Sequence, residues 1–138
     1  MPVVVKAVPE DEYNSWLAER RAQAEKEKEL ANKTFTLEEL MAQGETVYGK
    51  ACLACHGANG EGGVGKAIAG SPIATGDITA HIDMIVNGSA NNPAMAAYRE
   101  TLSEVDTAAV VTYQRNAFGN NTGDVVQPLD ILKFKQGK

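Results

Sequence analysis

The chain has 138 residues, with 13 lysine and arginine side chains against 18 aspartates and glutamates, a formal net charge of -5 and 43% hydrophobic residues. That balance suits one small domain with extensions and leaves no room for two full cores. It holds no apolar run of the roughly 18 residues a membrane helix needs and no basic flank followed by a long apolar leader, and its acidic balance without a basic, aromatic-interleaved cluster excludes nucleic acid as the partner.

Residues 1–9, Met-Pro-Val-Val-Val-Lys-Ala-Val-Pro, are short, β-branched and bounded by Pro2 and Pro9, which predicts one strand. A lone strand is not stable, so it is expected to belong to a sheet lying upstream. From Glu10 to Lys33 the residues favour helix, and Tyr13, Trp16, Leu17 and Arg20 share a face. Beyond Leu17 the apolar stripe stops. Residues 1–33 hold 6 positive and 7 negative side chains, the pattern of a solvated helical spacer, with Glu29 and Lys33 in the favourable i,i+4 order.

Thr36 with Glu39 forms a capping-box signal, and Leu37, Leu40, Met41, Val47, Tyr48 and Ala51 follow at helical spacing. This predicts the first helix of the main domain. Residues 57–76 carry 7 of the 13 glycines together with Pro72. So long a loop in a small domain is expected only where a ligand organises it.

Thr79 is expected to cap a short helix bearing Ile82, Ile85 and Val86, ended by Asn87-Gly88. A second loop, 89–94, contains Asn91, Asn92 and Pro93. Ser103 with Asp106 then opens a helix with Val105, Ala108, Ala109, Thr112 and Tyr113 on one face, running to about Phe118. The rest is read as mostly irregular tail. The predicted organisation is therefore a spacer at 1–33, a domain at 34–119 and a tail at 120–138.

Cys52-Leu53-Ala54-Cys55-His56 is a C-x-x-C-H sequence, the attachment signature of a c-type haem. Two thiols one turn apart match the two vinyl groups along one porphyrin edge, and the adjacent imidazole then lies beneath the iron. Two other chemistries share C-x-x-C. A dithiol redox site needs strands alternating with helices around the motif, and the pattern here is helix and loop. A zinc site needs four ligands, which Cys52, Cys55, His56 and His81 would exhaust as the chain's entire Cys and His stock. One covalent haem c per chain is the expectation. With aromatics at only 6%, the macrocycle would also supply much of the missing apolar contact.

The sixth iron ligand is sought among Met1, Met41, Met84, Met95 and His81. Met41 lies on the stripe of the first helix and Met84 between Ile82 and Ile85, so both are expected to pack. Met95 follows Asn91-Asn92-Pro93-Ala94 in a loop able to carry its thioether over the open haem face, and is the expected ligand. His81 is expected to be an exposed or capping side chain at a helix start.

Residues 36–119, with the first helix, C-x-x-C-H, the Gly-rich loop, the Asn-Gly and Ala-Met loop and the last helix with Tyr113, resemble a class I cytochrome c domain. The resemblance implies an all-α fold of about four short helices wrapped around the haem. It also implies that the carbonyl of Pro72, in Ser71-Pro72-Ile73, accepts from His56. The first and last helices would cross at Gly44 or Tyr48 against Tyr113.

The flanks are similar to those of bacterial cytochrome c oxidase subunit II with a fused cytochrome c domain: Met1-Pro2-Val3-Val4-Val5, Glu12-Tyr13 and Trp16-Leu17 before, and Gly123-Asp124-Val125-Val126-Gln127-Pro128 after. Met1 matches that family's copper-ligating Met. The only Cys pair is committed to haem, so no copper centre can form from these residues.

That likeness implies an electron-transfer domain, not a catalyst by itself, relaying electrons from a donor cytochrome c or other respiratory carrier to the copper domain of the parent oxidase. It would lie on the periplasmic side of the bacterial inner membrane, anchored only through the parent protein. The rival readings are a free-standing cytochrome c shuttle and a haem-based gas sensor.

Overall fold

The computed structural model describes residues 6–137, and among them every regular element is a helix. The strand expected over residues 1–9 falls largely outside the described residues; 6–9 are irregular. The chain divides into two compact units, Met1–Lys33 and Thr34–Lys138.

In the first unit α1 (Glu10–Ala31) begins after Pro9, with Glu10, Asp11 and Glu12 in its first turn and Lys28 in its last, each sign complementing the helix dipole. The rings of Tyr13 and Trp16 lie 5.8 Å apart, and the Arg20 guanidinium sits 5.7 Å from the Trp16 ring. Both rings are half exposed. The Lys6–Glu12 and Lys28–Glu25 ion pairs are on the surface, where each contributes under about 1 kcal/mol.

The second unit holds α2 (Leu37–Ala51), α3 (Leu53–His56), α4 (Pro72–Thr75), α5 (Ile78–Asn87), α6 (Glu104–Asn116) and α7 (Pro128–Gln136). The capping box of α2 forms as expected. The Glu39 amide donates to Thr36 Oγ1 at 3.2 Å, and the Thr36 amide donates to the Glu39 carboxylate at 2.8 Å. Ser103 caps α6 by accepting from the Asp106 amide.

Helices α2 and α6 cross at Gly44, where a β-carbon would overlap the Ala109 carbonyl and Cβ of Tyr113. Of the two residues considered for the crossing, Gly44 makes the close approach; Tyr48 stacks beside it in a trio with Tyr113 and Phe118, at centroid distances of 5.0–5.6 Å. Helix α6 is buried beyond its predicted face. Thr107 to Thr112, Gln114 and Arg115 are all buried, because α2, α4, α5 and α7 pack around it.

Three local expectations change: within the stretch 57–76 read as loop, Ser71 caps the short helix α4 (Pro72–Thr75). Helix α5 is capped by Asp77, whose carboxylate accepts from the Ala80 amide at 2.7 Å, and not by Thr79. The tail, expected to be mostly irregular, contains α7, with Ile131 and Leu132 buried. Pro128 opens this helix, and the Asp130 carboxylate accepts from the Gln127 amide. The Gln127 side chain also exchanges two hydrogen bonds with the backbone of Phe35, at 3.0 and 2.9 Å. The intervening segment, 117–127, is rich in Gly and Asn, which hides so short a helix from a periodicity argument.

Candidate functional site

Cys52 ends α2, and its carbonyl accepts from the amides of Cys55 and His56 at 3.1 and 3.0 Å. The single turn of α3 thus follows directly on Cys52 and carries Cys55 and His56. Both thiols are free; Cys52 is buried and Cys55 exposed. Burial pushes the Cys52 thiol up to about 11, helped by the neighbouring Cys55 and opposed by the Gln114 amide, which donates to its sulfur at 3.7 Å.

His56 Nδ1 stands 2.7 Å from the Lys66 carbonyl oxygen. A carbonyl only accepts, so Nδ1 carries the hydrogen and the lone pair is left on Nε2. The expected partner was Pro72. Its carbonyl instead accepts from the Gly76 amide at 3.0 Å, because Pro72 opens α4 and its carbonyl is turned into that helix.

The Gly-rich loop closes on this turn through backbone bonds: the Gly62 amide to the His56 carbonyl at 2.8 Å, and the Gly65 amide to the Cys55 carbonyl at 2.7 Å. From the tail, Asn120 donates to the carbonyls of Ile68 and Gln114 and accepts from the Gly70 amide. The Tyr48 hydroxyl donates to the Gly57 carbonyl at 2.7 Å.

Met95 lies in the loop between α5 and α6, partly buried and packed on the core. Its amide donates to the Asn92 carbonyl, and its carbonyl accepts from Ser89, both at 3.0 Å. The Tyr98 hydroxyl ties the same loop to the Ala51 carbonyl, next to Cys52, at 2.9 Å. Met41 and Met84 sit partly buried on α2 and α5.

His81 is neither exposed nor a cap. It is buried, and its Nε2 lies 2.9 Å from Oε1 of Gln114, while Nδ1 has no partner among the described residues. Burial holds it down at about 4, against the Gln114 bond and with the help of the Arg115 charge, so it is neutral at ordinary pH. The Nε2 hydrogen is committed to Gln114, whose amide nitrogen faces Cys52.

Among the described residues no group of three or more His, Cys, Asp or Glu side chains could hold a metal ion. The site instead offers two thiols and one correctly tautomeric imidazole on one turn. Residues 39–113 match the family described as cytochrome C oxidase, cbb3-type, subunit III. The chain belongs to this family.

It is a cytochrome c domain, a haem-binding electron-transfer module. No curated protein matches the chain. The donor set of the cytochrome c domain fits a haem: Cys52 and Cys55 are free thiols three positions apart, and Nε2 of the adjacent His56 carries the ring's lone pair. Four contributors gave no sequence signal of their role: Lys66, whose carbonyl acts irrespective of side chain, and Tyr98, Gln114 and Asn120. Among the described residues no helix is long and apolar enough to cross a membrane.

Proposed function

We propose that the chain is a mono-haem c electron carrier, joined covalently through Cys52 and Cys55, with His56 and Met95 as the iron ligands. The observation that carries the reading is the His56–Lys66 hydrogen bond beside two free thiols. It leaves one imidazole nitrogen available, on the turn whose sulfurs reach one porphyrin edge. The haem, when bound, supplies a reversible one-electron couple. Lys66 holds the imidazole in its ligating tautomer, and the Met95 loop would supply the second ligand and shield the bound group from water.

In this reading the domain is the cytochrome c extension of a cytochrome c oxidase subunit II. It receives electrons from a respiratory donor and passes them to the copper centre of a preceding domain, on the periplasmic side of the inner membrane. The support is the flanking sequence: Glu12-Tyr13 and Trp16-Leu17 before the domain, and Gly123 to Pro128 after it. Residues 34–117 hold 4 basic and 9 acidic side chains, so a basic donor surface would be steered towards it.

Expression with haem-maturation machinery tests the core of this. The intact mass should exceed the chain by one haem, and Cys52→Ala with Cys55→Ala should abolish the gain. Met95→Ala should lose the far-red band of thioether-ligated iron, while Met41→Ala and Met84→Ala keep it. A chain mass without haem, or a band that survives in Met95→Ala, would overturn the corresponding part.

A further inference from the structure

The loop that carries Met95 lies largely at the surface. Residues 90–94, 96 and 97 are exposed. Its position is set where it returns to the core: the Tyr98 and Arg99 amides donate to the carbonyls of Ile85 and Val86, near the end of α5, at 3.0 and 3.1 Å. What holds Arg99 in turn is α7, which lies outside the residues matched by the family.

Two basic residues bind each other's backbone. Arg99 Nη1 donates to the Lys135 carbonyl at 3.1 Å, and Lys135 Nζ donates to the Arg99 carbonyl at 2.9 Å. Arg99 also reaches back to α5, with Nε and Nη2 on Oδ1 of Asn87 at 3.3 and 3.0 Å. The Lys135 ammonium donates further to the Leu102 carbonyl at 3.3 Å and lies 3.5 Å from the Glu104 carboxylate, the two side chains only 12% and 11% exposed.

An ammonium buried to that degree is costly unless its three donors are all used. Here it makes two hydrogen bonds and one ion pair, all to the stretch 99–104, which joins the Met95 loop to α6. Apolar packing alone would seat α7 at Ile131 and Leu132, and it would not need a lysine here. Directed bonds to two loop carbonyls, with the Glu104 carboxylate close by, fix where the loop lies.

We infer that α7 is a clasp on the Met95 loop, with Lys135 and Arg99 as positioning residues that keep the sixth ligand in place. The inference rests on Met95 being that ligand. Because α7 is itself fastened through Gln127 to Phe35, the clasp joins the start of the domain, its end and the ligand loop.

The test compares the haem-loaded full chain with Lys135→Met, with Val47→Ala as a core variant of lowered stability that leaves the clasp intact, and with Met95→Ala. Imidazole can bind the oxidised iron only when the loop opens, so its binding rate reports opening. Amide hydrogen exchange at Ser89, Met95, Tyr98 and Arg99 reports the loop without reference to the iron.

Lys135→Met loses two charge-assisted hydrogen bonds and an ion pair, so it should raise the imidazole rate and the exchange of these four amides by at least about tenfold, and should keep the far-red band at neutral pH. Val47→Ala should raise neither rate and should also keep the band. Rates within twofold of wild type, or matched by Val47→Ala at equal loss of global stability, would overturn the clasp. If Lys135→Met does not accumulate, Arg99→Gln carries the same test. A far-red band that survives in Met95→Ala would sink the ligand reading instead, and hydrogen exchange would then decide separately whether α7 holds the loop.

Discussion

Gly65 lies so close to the His56 imidazole that a β-carbon on it would stand 2.8 Å from Cε1 and 2.9 Å from Nδ1. The ring is therefore clamped by a residue with no side chain, and the Lys66 carbonyl beside it sets the tautomer. Gly65→Ala should displace the ring or the loop, at a cost of about 1–3 kcal/mol, and lower haem loading. Gly63→Ala places its β-carbon in ordinary contact with the Cys55 carbonyl at 3.4 Å and should be tolerated. Absorbance per chain and thermal midpoints measure both. Equal loading in the two variants would show that the clamp is not needed.

Gly44 at the α2–α6 crossing makes a similar demand on packing. In Gly44→Ala the new methyl meets the Ala109 backbone and Cβ of Tyr113, so the helices must separate. The expected loss is about 1–3 kcal/mol of stability by overpacking. Gly49→Ala, with open space around the new carbon, should be neutral or slightly stabilising. Denaturant unfolding of the two variants checks the contrast, and equal midpoints would contradict it.

His81 predicts an acid limb in stability. Its proton affinity falls from the ordinary 6.5 to about 4 in the fold, first through burial. Between those values the unfolded chain binds a proton that the folded one does not, so stability is full above about pH 6.5 and declines as pH falls towards 4. His81→Gln should flatten the decline between neutrality and about pH 5 by roughly 2 kcal/mol. Superimposable acid limbs for wild type and variant would mean that His81 is not held neutral.

The first 33 residues should be dispensable for the haem domain. They form a compact unit of their own, with Tyr13 and Trp16 half exposed, while the second unit has a continuous core from Leu40 to Ile131. Their deletion should leave the haem spectrum and the domain's thermal midpoint unchanged. A drop of more than a few degrees would show that they stabilise it.

The local features were legible in the sequence because their partners are three or four positions away. The Thr36–Glu39 box, the Ser103 cap and the Cys52-x-x-Cys55-His56 turn are each satisfied within one helical turn, so residue types and spacing were enough to place them and to name the chemistry. Helices α2, α5 and α6 followed from apolar periodicity for the same reason.

Tertiary structure alone decided the rest. Every residue has a carbonyl, so side-chain pattern could not distinguish Lys66 from Pro72 as the partner of His56; the path of the loop did. His81 looked like a surface residue because its partner, Gln114, is 33 positions away on α6. The nine residues of α7 are too few to announce themselves. They form a helix because the core offers a place for Ile131 and Leu132, and because Phe35, 92 positions from Gln127, anchors its start.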